Sequence, residues 1–166
     1  MMAAAGRRVA QFWRHSAARV TPDERAHAVG ILGPRLAPLF LGLPVNEQRH
    51  ALDVLATLEG LGEEDRVLQQ AALLHDIGKA AAHFSIVDRS LAVFLEAVSP
   101  TMWSRLLRRL PDFRQRYDTY RRHAAIGAAR LQELGADEVA AVIAEHHAPS
   151  PTLERTRRLR HADGRN

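Results

Sequence analysis

Five helical segments of this chain each set a histidine or an aspartate on the face drawn by their apolar residues. His50 continues a stripe with Val54, Leu58 and Leu61, and His75 follows Leu68, Ala71 and Ala72. His123 precedes Ile126, Gly127, Leu131 and Leu134. His146 follows Val139, Val142 and Ile143, and Asp163 comes four residues after Leu159. At the helical period these spacings point each polar side chain the same way as its apolar neighbours. An unpaired buried polar group costs roughly 1–3 kcal/mol, and a buried charge far more. A bundle that buries four imidazoles and two carboxylates must therefore satisfy them together, and a metal cluster does so at one place. A single histidine on an apolar face is ordinarily a core residue bonded to a carbonyl. Repetition on five segments, one of which carries the adjacent pair His75-Asp76, points instead to a shared site.

Proline and glycine divide the chain into those segments. Thr21-Pro22-Asp23-Glu24 reads as a helix start, with Thr21 as N-cap, Pro22 at the first position and Glu24 closing a capping box. Gly33-Pro34 is expected to kink or end that helix, with Leu36 to Phe40 as a second short piece. Pro44 opens the next helix, which Gly60 and Gly62 close. Further helices are expected from about Glu64 to Ile77, over Asp88 to Val98, and from Pro100 through Leu110. Asp112 to Leu134 reads as one long helix closed by Gly135. Asp137 to about His147 and Thr152 to Asp163 complete the series. No stretch alternates with period two, so the expected fold is all-α: a single-domain helical bundle over residues 21–166.

Cysteine is absent, which leaves histidine and carboxylate as metal ligands and fits a reducing compartment, so a cytoplasmic location is expected. No apolar run approaches the ~20 residues of a membrane span. Residues 1–20 carry Arg7, Arg8, Arg14 and Arg19 without an acid. They read as a basic amphipathic helix or extension with Val9, Phe12 and Trp13 facing inward; a transit peptide is the other reading. Arg105, Arg108 and Arg109, and the run Arg155, Arg157, Arg158 and Arg160, read as solvated helix faces, with attraction of an anionic substrate as the functional alternative. Aromatic residues for base stacking are few, which argues against nucleic acid as the partner.

Lys79 is the only lysine, three residues after Asp76; every other strongly basic side chain is arginine. A compact, mobile ammonium there suits a phosphate. His147 is turned about 100° from His146 on an ideal helix. It is an outer-shell group, a ligand of a further metal, or the ligand in place of His146; of the two, His146 is the preferred ligand. His15, His27, His83 and His161 read as surface or supporting residues. Arg89 is a candidate second phosphate contact.

Taken in order, His50, His75-Asp76 and Asp163 resemble the HD superfamily of metal-dependent phosphohydrolases. Ala71 to Lys79 is similar to its HDIG-type signature nearly letter for letter. His123-Ala124-Ala125-Ile126-Gly127-Ala128 and Glu145-His146-His147 resemble the two extra histidine motifs of members with more than one metal. His161-Ala162-Asp163 resembles the terminal motif. The likeness covers about residues 45–163.

The resemblance implies an HD-type helical bundle with a central metal site. His50, His75, Asp76 and Asp163 would hold one ion. Asp76 would bridge to a second ion, held also by His123 and His146. Two divalent ions, drawn from Fe, Mn, Co, Ni or Zn, would share a hydroxide and clamp a phosphate, with Lys79 neutralising a phosphate oxygen. Asp76 and Lys79 would be the catalytic residues. The implied function is hydrolysis of a nucleotide or other small phosphate ester or anhydride by a metal-activated hydroxide. A non-catalytic metal- and nucleotide-binding regulatory module is the alternative. Ala148-Pro149 stands where cyclic-di-GMP phosphodiesterases carry a Gly-Tyr-Pro motif, which argues against that substrate. Asn46 stands where trinuclear members place a glutamate, which argues for two ions.

Overall fold

The computed structural model describes residues 19–82, 88 and 100–166. Most of the basic N-terminal segment, nearly all of the helix expected over Asp88 to Val98, and His15, His83 and Arg89 lie outside the described residues. Among those described, every regular element is helical.

Helix α1 spans Pro22–Leu41 and opens with the expected capping box. The Thr21 hydroxyl accepts the Glu24 N–H at 3.2 Å, and the Glu24 carboxylate accepts the Thr21 N–H at 2.9 Å. Gly33, at φ 68° and ψ 175°, breaks the helix immediately before Pro34. Its buried stripe is Ala28, Leu32, Leu36, Ala37 and Phe40. Helix α2, Val45–Gly60, follows a short turn and is tied to α1 by Arg49, which donates to Glu24 at 2.5 Å and to Asp53 at 2.9 Å.

Helix α3, Arg66–Leu74, is the hub. The carboxylate of Asp65 caps it by accepting the N–H groups of Val67 and Leu68. Leu68, Ala71, Ala72, Leu73 and Leu74 are all fully buried, so it is apolar around most of its circumference, as a central helix must be. A 3-10 segment, Ile77–Ala82, follows it. Helix α4 is Pro100–Arg109, α5 is Pro111–Arg121 and α6 is His123–Glu133; α7 is Asp137–Ala144 and α8 is Glu154–Asp163. Helices α1, α2, α7 and α8 all pack on α3, while α5 and α6 pack on the 3-10 segment. Gly135, at φ 66°, makes the tight turn that folds α7 back on α6. Trp103 of α4 meets Phe113 and Tyr117 of α5 edge-on, forming a small aromatic cluster separate from the main core.

Three helices break off earlier than expected, each at ligand-type residues. Helix α3 stops at Leu74 rather than Ile77, so His75 and Asp76 sit in a turn. The long helix expected over Asp112 to Leu134 is two helices, broken at Arg122, where the Tyr120 carbonyl is taken by the His123 side chain at 2.7 Å. Helix α7 ends at Ala144, and Glu145 to His147 form a turn. A smaller difference is Leu61, expected on the buried stripe of His50 but 53% exposed because α2 has already ended.

Candidate metal centre

Asp76 is the point where the elements meet. It is 4% exposed, and its two carboxylate oxygens face different partners. Oδ2 lies 3.3 Å from His75 Nε2 and 3.9 Å from His50 Nε2, and takes an ion pair from Lys79 Nζ. Oδ1 lies 3.3 Å from His123 Nε2. Asp163, arriving on the last turn of α8, places Oδ1 3.0 Å from His50 Nε2 and 3.8 Å from His75 Nε2. His123, His146 and His147 form a second group, whose ligand-type nitrogens lie within 4.8 Å of one another. Ligands ~2.1 Å from a common ion lie about 3–3.5 Å apart, and the closer of these spacings fall in that range.

Three buried histidines are oriented by one local device. Each Nδ1–H donates to the carbonyl three residues earlier: His75 to Ala72 at 2.9 Å, His123 to Tyr120 at 2.7 Å, and His146 to Ile143 at 2.9 Å. A carbonyl only accepts, so Nδ1 carries the proton, and in the neutral ring the Nε2 lone pair is turned into the site. A carbonyl on the far nitrogen is how metal-binding histidines are commonly fixed. Nε2 of His75 and of His146 makes no hydrogen bond among the described residues, although both atoms are buried. The 3.3 Å approach of His75 Nε2 to Asp76 is an ion-pair contact without hydrogen-bond alignment. Two buried lone pairs aimed at carboxylates and imidazoles are an unfavourable arrangement for a metal-free core. The donor set of nitrogen and carboxylate oxygen, without thiolate, fits a divalent transition ion.

Electrostatics sort the groups. Burial alone would raise the Asp76 carboxyl, but the nearby His75 and Lys79 charges, with His123 beside them, hold it well below the usual carboxylate range. Burial opposes the charged form of His75 as well, yet the Asp76 carboxylate raises it. Asp163 is lowered by its bond from His50 and the nearby His75 charge, against the effect of burial. Burial pushes His146 down to about 3 and His147 down to about 4, with neighbouring histidines adding to both shifts. Those two imidazoles are neutral at neutral pH and need lose no proton to act as ligands.

The sequence-predicted residues are thus mostly brought together: His50, His75, Asp76 and Asp163 on one side, His123 and His146 on the other, and Lys79 beside Asp76. His147 joins the second group, although an ideal helix would turn it away. The turn after Ala144 stacks its ring 3.8 Å from that of His146, and its Nε2 lies 2.9 Å from His123 Nε2. Glu145 fixes the loop beyond by accepting from the Thr152 hydroxyl at 2.6 Å and from the N–H groups of Thr152 and Leu153. Exposed His27 pairs instead with Glu59 at 2.6 Å, and His161 is exposed. The sequence reading missed Glu47, a 3% exposed carboxylate whose Oε2 is 3.9 Å from Lys79 Nζ. The signal was present: Glu47 stands one helical turn before His50 on the same face. Tyr120, whose ring lies 5.7 Å from that of His123, was also missed.

The arginine runs separate. Arg105, Arg108 and Arg109 are exposed on α4. The C-terminal run stitches α8 in place: Arg155 bonds Asp65 at 2.6 Å and Glu138 at 3.0 Å, Arg158 bonds Glu63 at 2.9 Å, and Arg160 donates to the Ala148 carbonyl. No helix among the described residues is long and apolar enough to cross a membrane.

A family model described as "Cas3, HD domain" matches residues 44–165. No curated protein and no solved structure matches the chain.

Proposed function

The chain belongs to the Cas3 HD-domain family, and from that premise we propose that it is a metal-dependent phosphohydrolase with a two-ion centre built on Asp76. The observation that carries this reading is the division of the Asp76 carboxylate between two groups of imidazoles, with two buried Nε2 lone pairs pointing inward. His50, His75 and Asp163, with Asp76 Oδ2, would hold one ion. His123 and His146, with Asp76 Oδ1, would hold the other, with His147 against them. Divalent ions in such a centre lower the pKa of a bound water and polarise the phosphate to be attacked.

The chain's own residues do the positioning. The three Nδ1–H bonds lock the imidazoles before any ligand arrives, so little reorganisation is needed. Lys79 supplies one fixed positive charge at the edge of the centre, where a phosphate oxygen gains charge during P–O cleavage. Glu145 holds the His146-His147 turn in register with α8.

The residues alone suggest a nucleotide, whereas the family points to a polymer, because a Cas3 HD domain acts as a nuclease. We adopt a nucleic-acid phosphodiester as the first substrate reading. The exposed arginines of α4 support it, since a basic face attracts a phosphate backbone. The nucleotide reading keeps one observation in its favour: the single compact cation, Lys79, suits one small phosphate group.

The test is metal content per chain for wild type and Asp76→Ala, followed by hydrolysis of single-stranded DNA, RNA and free nucleotides. About two transition-metal ions are expected in the wild type, lost with turnover in the variant. Full hydrolysis by metal-free protein would sink the mechanism. Release of phosphate from nucleotides alone would select the small-molecule reading.

A further inference from the structure

Lys79 is flanked by two carboxylates from different elements. Asp76 pairs with it from the preceding turn, and Glu47 approaches it from the first turn of α2, with Oε2 3.9 Å from Nζ. Glu47 is 3% exposed, so its charge has been taken almost wholly out of water. Its two oxygens divide the work: Oε1 accepts the Asn46 side-chain amide at 3.3 Å, and Oε2 faces the ammonium. A buried carboxylate beside a half-buried ammonium is costly to keep unless both charges are used.

Asp76 cannot serve Lys79 and two cations equally. Once its oxygens are drawn to positive ions, its hold on the ammonium weakens, and the ions themselves repel Lys79. Glu47 is then the remaining anion within reach on α2. We infer that Glu47 is a positioning residue that retains the Lys79 ammonium at the centre when Asp76 is engaged by metal. The inference rests on the reading of Asp76 as the shared ligand, and it assigns Glu47 a task distinct from metal ligation.

The lone lysine makes the test direct, because a protein with labelled lysine carries a single side-chain ammonium. The measurement is the hydrogen-exchange rate of the Lys79 ammonium by nuclear magnetic resonance. It is made on the full chain, metal-free and loaded with Zn, for wild type, Glu47→Gln and Glu47→Asp, with metal content determined on the same samples. Loaded wild type is expected to keep a slowly exchanging ammonium. Glu47→Gln is expected to bind as much Zn but to exchange at least about tenfold faster when loaded, with a much smaller change when metal-free, where Asp76 still holds Lys79. Glu47→Asp, which keeps the charge on a shorter stem, is expected to restore part of the protection.

Equal exchange in loaded wild type and Glu47→Gln would overturn the inference while leaving the metal centre intact. Loss of Zn from Glu47→Gln would overturn it differently, by making Glu47 a ligand. Failure of wild type to bind Zn would remove the underlying reading of the site, and this inference with it. If Glu47→Gln does not fold, loaded wild type still decides: an ammonium exchanging as fast as that of free lysine rules out retention by Glu47.

Discussion

At the scale of single residues, His146 and His147 are chemically identical neighbours in unlike settings. His146 is 2% exposed, its Nδ1–H is fixed on Ile143, and its buried Nε2 makes no hydrogen bond among the described residues. His147 is exposed, and its Nε2 already lies 2.9 Å from His123 Nε2. A ligand oriented beforehand and buried contributes more than one that must leave solvent and a partner. His146→Ala is therefore expected to remove one of two bound ions, with affinity falling at least about tenfold, while His147→Ala retains most of it. Elemental analysis after dialysis against a weak chelator reads this directly. Metal kept by His146→Ala and lost by His147→Ala would reverse the assignment. The sequence points to His146 because it continues the apolar stripe of α7, and it places His147 on another face because that reasoning assumes the helix continues. The helix ends at Ala144, and no periodicity can show where a ligand-bearing turn departs from helical geometry.

At the scale of elements, the packing of the 3-10 segment on α6 determines how near Asp76 comes to His123. In sequence Gly78 reads as a helix stop, but its structural role is proximity. A Cβ there would lie 2.0 Å from the His123 carbonyl oxygen and 2.9 Å from the Gly127 nitrogen. Gly78→Ala must push the two elements apart, at a cost of about 3 kcal/mol or more, since backbone cannot yield as a side-chain tip does. Its second-group metal affinity should fall with it. Gly30→Ala is the control: a Cβ added to it in α1 would meet nothing within 4 Å, so a gain of about 0.5–1 kcal/mol is expected. Urea unfolding of the metal-free variants tests both; a Gly78→Ala protein as stable as wild type would refute the contact.

The α1–α2 junction carries a prediction in pH. The Arg49 bond, with the Thr21 backbone bond, lowers Glu24 from 4.5 to about 2. A depressed carboxyl stabilises the fold fully above its unfolded pKa, and that stabilisation is lost as pH falls through its folded value. The Glu24 side chain is 34% exposed, so solvent screening limits the pair to about 1 kcal/mol. The stability gap between wild type and Glu24→Gln should hold from pH 7 to about 5 and shrink by about half at pH 3. A gap that is flat across that range would show that the pair contributes nothing through ionisation.

For the whole molecule, the all-helical architecture was legible because proline, glycine and the apolar period agree along most of the chain. The convergence of His50, His75, His123, His146 and Asp163 was legible because each continues an apolar face, and Asp76 was legible as the immediate neighbour of His75. What sequence could not show was the local breaking of helices that lets these side chains meet: the Tyr120 carbonyl is claimed by an imidazole three residues on, and the close approach of Gly78 to His123 exists only once the chain is packed. The same convergence links metal to global stability. Ligand-type residues come from α2, the turn after α3, α6, the turn after α7 and α8, so ions at the centre would cross-link five parts of one core. Anything that binds only the folded state stabilises it by mass action, about 2.7 kcal/mol at a hundredfold excess over Kd. For a chain of this size that corresponds to a rise in Tm of about 5–10 °C. Chelation should remove that rise in wild type. Asp163→Asn, which weakens a ligand on the last turn of α8, should start with a smaller rise and lose less on chelation. The Asn166 side chain donates to Thr57 at 2.9 Å and to the Ala162 carbonyl, so α8 remains tied to α2 without the metal. The variant should accordingly melt close to metal-free wild type rather than unfold. Calorimetry with and without chelator separates the outcomes: a Tm indifferent to chelator in metal-loaded wild type would mean that these six side chains do not hold metal.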